Sequence, residues 1–158
     1  MPIYLQIDGI QGDATHETHR RWMDIESLHW NVTRNMNTFA GSAANREASE
    51  PTVSEVTLTK VSDSSTTKLF QEACSGRNGK TAVIHLVTTG NPGDTYIEFT
   101  LHNTLIAGYT IGTTGDRPLE TVTLNFTKMD VKYTPSDNQN ASQSPMIASY
   151  DLATARSS

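Results

Sequence analysis

The chain has 158 residues, 35% of them hydrophobic and 18% charged, with twelve Lys and Arg against seventeen Asp and Glu and a formal charge of -5. That length suits one domain, taken as residues 1–158, and the acidic balance without a basic cluster argues against nucleic acid and against polybasic membrane attachment. No run approaches the ~20 apolar residues that insert in a bilayer, and the single cysteine, Cys74, excludes an intrachain disulfide.

Met1 to Leu5 pass straight into a strand pattern, with no charged n-region, apolar h-region or cleavage site. This predicts assembly in the cytoplasm and any export without a cleavable signal. Ile3, Leu5 and Ile7 alternate with Tyr4, Gln6 and Asp8, so one face is buried and the other wet. Residues 9–20 form a polar loop. A second strand covers about 22–32; Met23 and Ile25 are apolar at odd positions, Leu28, Trp30 and Val32 at even ones. The change of phase predicts a β-bulge near Glu26 and Ser27.

Residues 33–51 lack periodicity and form a long loop, of the length that compact domains usually keep for function. A third strand spans 53–61, with Val56 and Leu58 on one face. The pattern then predicts a helix over 65–75, with Leu69, Phe70, Ala73 and Cys74 on its buried face. Asp63, Ser64 or Ser65 cap its start, and Gly76 stands at C′. Residues 80–89 are apolar on both faces and predict a strand covered on both sides, by the helix on one. After a turn at 90–94, odd-numbered apolar residues from Ile97 to Ile111 predict one long strand, or two in register around His102 and Asn103. Val122, Leu124 and Phe126 alternate and then yield to Met129, Val131 and Tyr133, which predicts a second bulge near Thr127 and Lys128. A polar linker, 136–144, precedes a last strand at 146–152.

Catalytic patterns are missing. His16 and His19 stand three apart, and Asp13 and Glu17 could join them, but the pattern is not HExxH and no Cys pair accompanies it, so they are expected to be solvated loop histidines. His29, His85 and His102 fall on strands as ordinary polar side chains. No G-x-S-x-G elbow is present, and Cys74 is expected to be a buried apolar thiol. Asp24 and Glu26 suit a solvated strand face. No cofactor or metal is expected, and the protein is not expected to be an enzyme.

The stretch Ile3-Tyr4-Leu5-Gln6-Ile7-Asp8-Gly9-Ile10-Gln11-Gly12-Asp13, followed by His19 and by Trp22 to Trp30, resembles the opening of the haemolysin-coregulated protein (Hcp) family of type VI secretion systems. Further segments are similar in order and spacing. They are Val56 to Lys60, Asp63 to Phe70, Tyr96 to Leu101, Thr104 to Tyr109, Glu120 to Phe126 with Tyr133, and Ile147 to Leu152. Asn31 departs from the glycine common in the family, and Ser65-Thr66-Thr67 from its Ser-Pro pair.

The resemblance implies a mainly β fold, two packed antiparallel sheets forming a small barrel with one flanking helix. It implies a homohexameric ring with a central channel, stacked into a tube. The implied partners are a contractile sheath, a spike trimer at the tip and small effector proteins in the channel, and the tube protein itself is secreted. The loop then serves ring stacking. Its candidate residues are Arg34 and Arg46 for charged bonds, Asn37, and the small residues Gly41, Ser42, Ala43 and Ala44 for close approach. The alternative is a monomeric barrel that binds a small ligand or carbohydrate.

Overall fold

The structure is a computed structural model and describes residues 1–37, 40, 47–90, 93–135 and 144–158. In chain order the strands are β1 (Ile3–Ile7), β2 (Met23–Ile25), β3 (Ser27–His29), β4 (Val32–Thr33), β5 (Met36–Asn37), β6 (Glu47–Ala48), β7 (Thr52–Val53) and β8 (Val56–Val61). The helix α1 (Thr66–Ser75) is followed by β9 (Lys80–Val87), β10 (Thr95–Gly112), β11 (Leu119–Asn125), β12 (Lys128–Tyr133), β13 (Met146–Asp151) and β14 (Arg156–Ser157). The mainly β, antiparallel expectation with one helix holds. The linker expected at 136–144 lies, apart from Ser144, outside the described residues.

Antiparallel pairing runs almost in a circle. β1 lies between β2 and β9, with Leu5 opposite both Met23 and Ile84. β9 pairs with the first half of β10, and the second half of β10 pairs with β11. β11 pairs with β8, and β8 with β3. β3 runs back through Glu26 into β2, so the circuit closes through one bent strand. β12, β13 and β14 extend the sheet outward from β10. Inside the circuit Leu5, Met23, Val56, Leu58, Ile84, Leu101, Val122 and Leu124 are wholly buried, as the alternation within each strand requires.

The corners are where the periodicity breaks. The bulge expected at Glu26 is there, and the Glu26 N–H donates to the Thr59 carbonyl at 2.7 Å as the chain passes between partner strands. The break expected near Thr127 separates β11 from β12. β10 is one strand, but the odd-numbered phase does not survive along it: Phe99 and Leu101 are buried, whereas Leu105 and Ile111 are exposed. Two local devices account for this. Asn103 takes a left-handed conformation (φ 54°), which asparagine tolerates better than most residues, and Ala107 is an extra residue in the ladder to β11. Gly79 lets the chain pass this corner, since a Cβ there would lie 1.7 Å from Asn103 Oδ1.

The helix corrects several expectations. Leu69 enters the main core, but Phe70 is 62% exposed and Cys74 is also exposed. Only one side-chain row of this short helix reaches the barrel, where it packs on β10 and not over β9. Ser65 is the N-cap without a side-chain cap bond. Instead Asp63 Oδ1 accepts the Ser65 N–H at 2.8 Å, and Thr66 Oγ1 accepts the Asp63 N–H at 3.1 Å. Gly76 ends the helix in an extended conformation, not a left-handed one; a Cβ would sit 2.7 Å from the Glu72 carbonyl oxygen.

The outer face of β9 is covered by the 13–22 loop. Tyr4, placed on the wet face by alternation, is buried with Ala14 and Val87 in a second small core against Trp22. The loop holds its own shape: Gly12 N–H donates to the Arg21 carbonyl at 2.8 Å, Arg21 N–H to the Ala14 carbonyl at 3.0 Å, and Ala14 N–H to the Trp22 carbonyl at 3.0 Å.

Candidate functional site

The segment expected to be an aperiodic loop leaves the barrel as a two-stranded ribbon. Val32 and Thr33 pair with Val53 and Thr52, and Met36 and Asn37 pair with Ala48 and Glu47. Two serines clasp it. Ser54 N–H donates to the Asn31 carbonyl at 2.9 Å while Ser54 Oγ accepts the Asn31 N–H at 2.8 Å. Ser49 repeats this on Asn35, at 2.9 and 3.0 Å. Between the two ladders the register slips by one. Arg34 stands alone against Glu50 and Pro51, because Pro51 has no N–H to donate and the ladder cannot continue through it.

Ribbon residues 31–36 are all exposed, among them Val32 and Met36 at 50% and 48%. A ribbon wet on both faces gains little from burial and is marginal alone. At its root Trp30, Val32, Val53, Val131, Tyr150 and Leu152 line an open apolar groove. Trp30 is fixed there edge-on to Phe99, with ring centroids 5.6 Å apart. Of the residues assigned to stacking, Arg34 is exposed at the register slip and makes no ion pair among the described residues. The backbone of Asn37 lies in β5. Gly41, Ser42, Ala43, Ala44 and Arg46 lie outside the described residues. The mirrored pairs Val32-Thr33 and Thr52-Val53 were the sequence signal for a ribbon.

Two polar clusters lie in the barrel wall. Lys60 and Glu120 face each other across β8 and β11, both wholly buried. Lys60 Nζ donates to Asp63 Oδ1 at 2.9 Å and to the Val61 carbonyl at 3.0 Å, and lies 3.5 Å from Glu120 Oε2. Thr66 and Tyr109 donate their hydroxyls to Glu120 at 2.8 and 2.7 Å. Burial alone raises the Glu120 carboxyl, but these donors and the Lys60 charge hold it below the usual carboxylate range.

The second cluster corrects the expectation for the loop histidines. His19 is only 2% exposed, stacked on Tyr4 with centroids 4.7 Å apart. Its Nδ1 lies 2.8 Å from His16 Nδ1, and its Nε2 lies 2.8 Å from His85 Nδ1. His85 Nε2 in turn reaches Glu98 Oε2 at 2.8 Å. Burial first, then His85 and His16, push His19 down to about 4. Among the described residues no three His, Cys, Asp or Glu side chains are placed to hold a metal ion. The nitrogens meet in pairs as hydrogen-bond partners.

Residues 4–133 match the family described as type VI secretion system effector, Hcp. Protein hcp1 of Pseudomonas aeruginosa is 26% identical over 142 residues, covering 88% of this chain and 86% of that one. A solved type six secretion system protein superposes with a TM-score of 0.91 at 19% identity, covering 99% of both chains. Hcp1 from Salmonella typhimurium gives 0.78 at 22% identity, over 99% of this chain and 98% of that one.

Proposed function

The chain belongs to the Hcp family of type VI secretion proteins, and we propose that it builds the secretion tube as rings of six copies. The observation that carries this is the match over residues 4–133, which takes in the barrel and the ribbon alike. Rings stack through the ribbon. The polar, small-residue segment 37–46 makes the contact, and Arg34 and Arg46 bond acidic groups of the next ring. The channel carries small effector proteins, the tip binds a spike trimer, and a contractile sheath surrounds the tube. Rings assemble in the cytoplasm, and the protein is then secreted.

An exposed, marginally stable ribbon supports a docking role, because contact with a partner supplies the burial that the ribbon lacks by itself. Light scattering on the eluted protein tests the ring: the expected mass is six times the 17.3 kDa chain. A stable monomer would instead favour a ligand-binding barrel. Deleting residues 37–45 tests the ribbon. Rings should persist while tubes and secretion are lost, and normal stacking of the deletion variant would sink the assignment.

A further inference from the structure

The four side chains His16, His19, His85 and Glu98 form one continuous chain with a fixed direction. The Glu98 carboxylate accepts the His85 Nε2 proton across 2.8 Å. His85 Nδ1 is therefore an acceptor, and His19 must donate to it from Nε2 across 2.8 Å. That leaves His19 Nδ1 as an acceptor, and His16 donates to it from Nδ1 across 2.8 Å. Three neutral rings thus satisfy every link, each in one tautomer set by the carboxylate at the far end.

The chain joins three elements: the 13–22 loop, β9 and β10. Trp22 seals one side, with its ring 4.7 Å from His19 and 4.6 Å from His85, and Tyr4 forms the floor. We propose that this chain is an acid-released latch: it holds the 13–22 loop against the barrel while its histidines share at most one proton, and lets the loop go when a second arrives.

The asymmetry between the two protons follows from position. The first can rest on His85: burial, and then Lys132 on β12, hold that ring below the usual histidine range, but it alone of the three lies against a carboxylate, that of Glu98. The second must go to His19 or His16. Each of those is within 5.0 Å, centroid to centroid, of a ring that is already charged or that shares its proton. Two adjacent imidazolium rings also set N–H against N–H across a 2.8 Å gap that needs one donor and one acceptor. Among the described residues no counter-charge stands near His19 itself. The phenol of Tyr4 is neutral, and the carboxylate of Asp24 lies on β2 beyond that ring.

The remaining charge on the loop acts elsewhere. Asp13 accepts the Ser64 N–H at 3.1 Å, and the Ser64 hydroxyl first, then this N–H, hold its carboxyl below the usual range, so this end stays anchored while the histidines titrate. Glu17 is exposed on the loop. The part that moves is 14–21, which carries the exposed Arg20 and Arg21. Release therefore changes the position of two adjacent cations on the outside of the barrel.

Amide exchange on the assembled protein tests the latch, with each rate corrected for the intrinsic pH dependence. Between pH 7 and 4.5 the protection of the Ala14 and Arg21 amides should fall at least tenfold, while that of Leu124 in β11 stays unchanged. His19→Gln and His85→Gln should abolish the difference. Glu98→Gln, at a half-exposed position that threatens folding less, should move the opening to lower pH, since the first proton loses its counter-charge. The latch is overturned if loop protection is constant across this range. It is equally overturned if the loop and Leu124 lose protection together, or if the glutamine variants keep the wild-type pH profile.

Discussion

Lys60 and Glu120 are buried as ions between β8 and β11, and His19 is buried as a neutral ring between the 13–22 loop and β1. Lys60, Glu120 and His19 are each at most 2% exposed, yet their protonation differs because their neighbours differ. Lys60 is met by two carboxylates and a carbonyl, and Glu120 by two hydroxyls besides. Each charge finds opposite charge or oriented dipoles that replace the water it lost. His19 is met by two imidazoles, a phenol and an indole edge. The one carboxylate in that cluster is a full ring away, so His19 loses its hydration and gains nothing for being charged. Burial does not decide whether a group ionises; the partners buried with it do.

The largest expected effect breaks the ionic cluster from one side. Lys60→Met or Glu120→Gln should each cost about 3–5 kcal/mol in urea unfolding, because the other ion is left buried with too few partners. The double variant Lys60→Met/Glu120→Leu should recover most of that loss, since a buried pair and a packed apolar pair are often close in stability. Single and double variants that lose the same amount would show that the pair contributes through packing alone.

The pH dependence separates the two clusters, and its sign follows from which state binds more protons. The pKa of His19 in the folded protein is depressed from 6.5 to about 4, so between those values the unfolded chain binds the proton more readily. Stability is then greatest above pH 6.5 and falls as pH falls towards 4, by no more than about 3 kcal/mol and by less if the loop opens first. Glu120 is depressed below its usual 4.5, so its contribution is present above that pH and is lost only below it. Denaturation midpoints from pH 7.5 to 3.5 should show two successive losses. His19→Gln should remove most of the first, leaving the part that the burial of His85 contributes, and should leave the second unchanged. A first loss that survives in full in that variant would place the responsible group elsewhere.

Sequence alone revealed the barrel far better than either cluster. Alternation placed Leu58, Leu124 and Phe126 inside, and breaks in phase located the corners at Glu26 and Thr127, because one period-two rule governs both. Leu69 and Phe70 show where that rule ends: both fall on the apolar side of a helical wheel, yet the width of contact with the barrel admits only Leu69. Tyr4 failed for a different reason. Its strand has a wet face by alternation, but a loop of polar composition folds back over it, and no local pattern announces that return. His19 and His85 are 66 residues apart, so their meeting depends on that same loop. The ribbon had a local signal in Val32-Thr33 and Thr52-Val53, obscured by the slip that Pro51 imposes.

The smallest expected effect concerns a third polar pair. His102 Nε2 lies 2.6 Å from Asp130 Oδ2, closer than any link in the buried histidine chain. If distance measured energy, this pair would matter most. The His102 side chain is 39% exposed and that of Asp130 26% exposed, however, so water competes for both ends and replaces the bond when it breaks. Asp130 Oδ1 is buried without a hydrogen-bond partner among the described residues, but Lys128 Nζ lies 4.0 Å from it. Burial tends to raise Asp130, but Ser149, His102 and Lys128 together hold it low, and two of those three remain when the ring is removed. His102→Gln should therefore cost less than about 1 kcal/mol, as exposed ion pairs usually do. Added salt should narrow even that difference, because an exposed pair is screened while the histidine chain beneath the loop is not. Parallel urea titrations of His102→Gln and His85→Gln at low and high salt make the comparison direct. A cost for His102→Gln as large as that for His85→Gln would mean that hydrogen-bond length outweighs solvent access on this barrel, and the contrast between its buried clusters would need another cause.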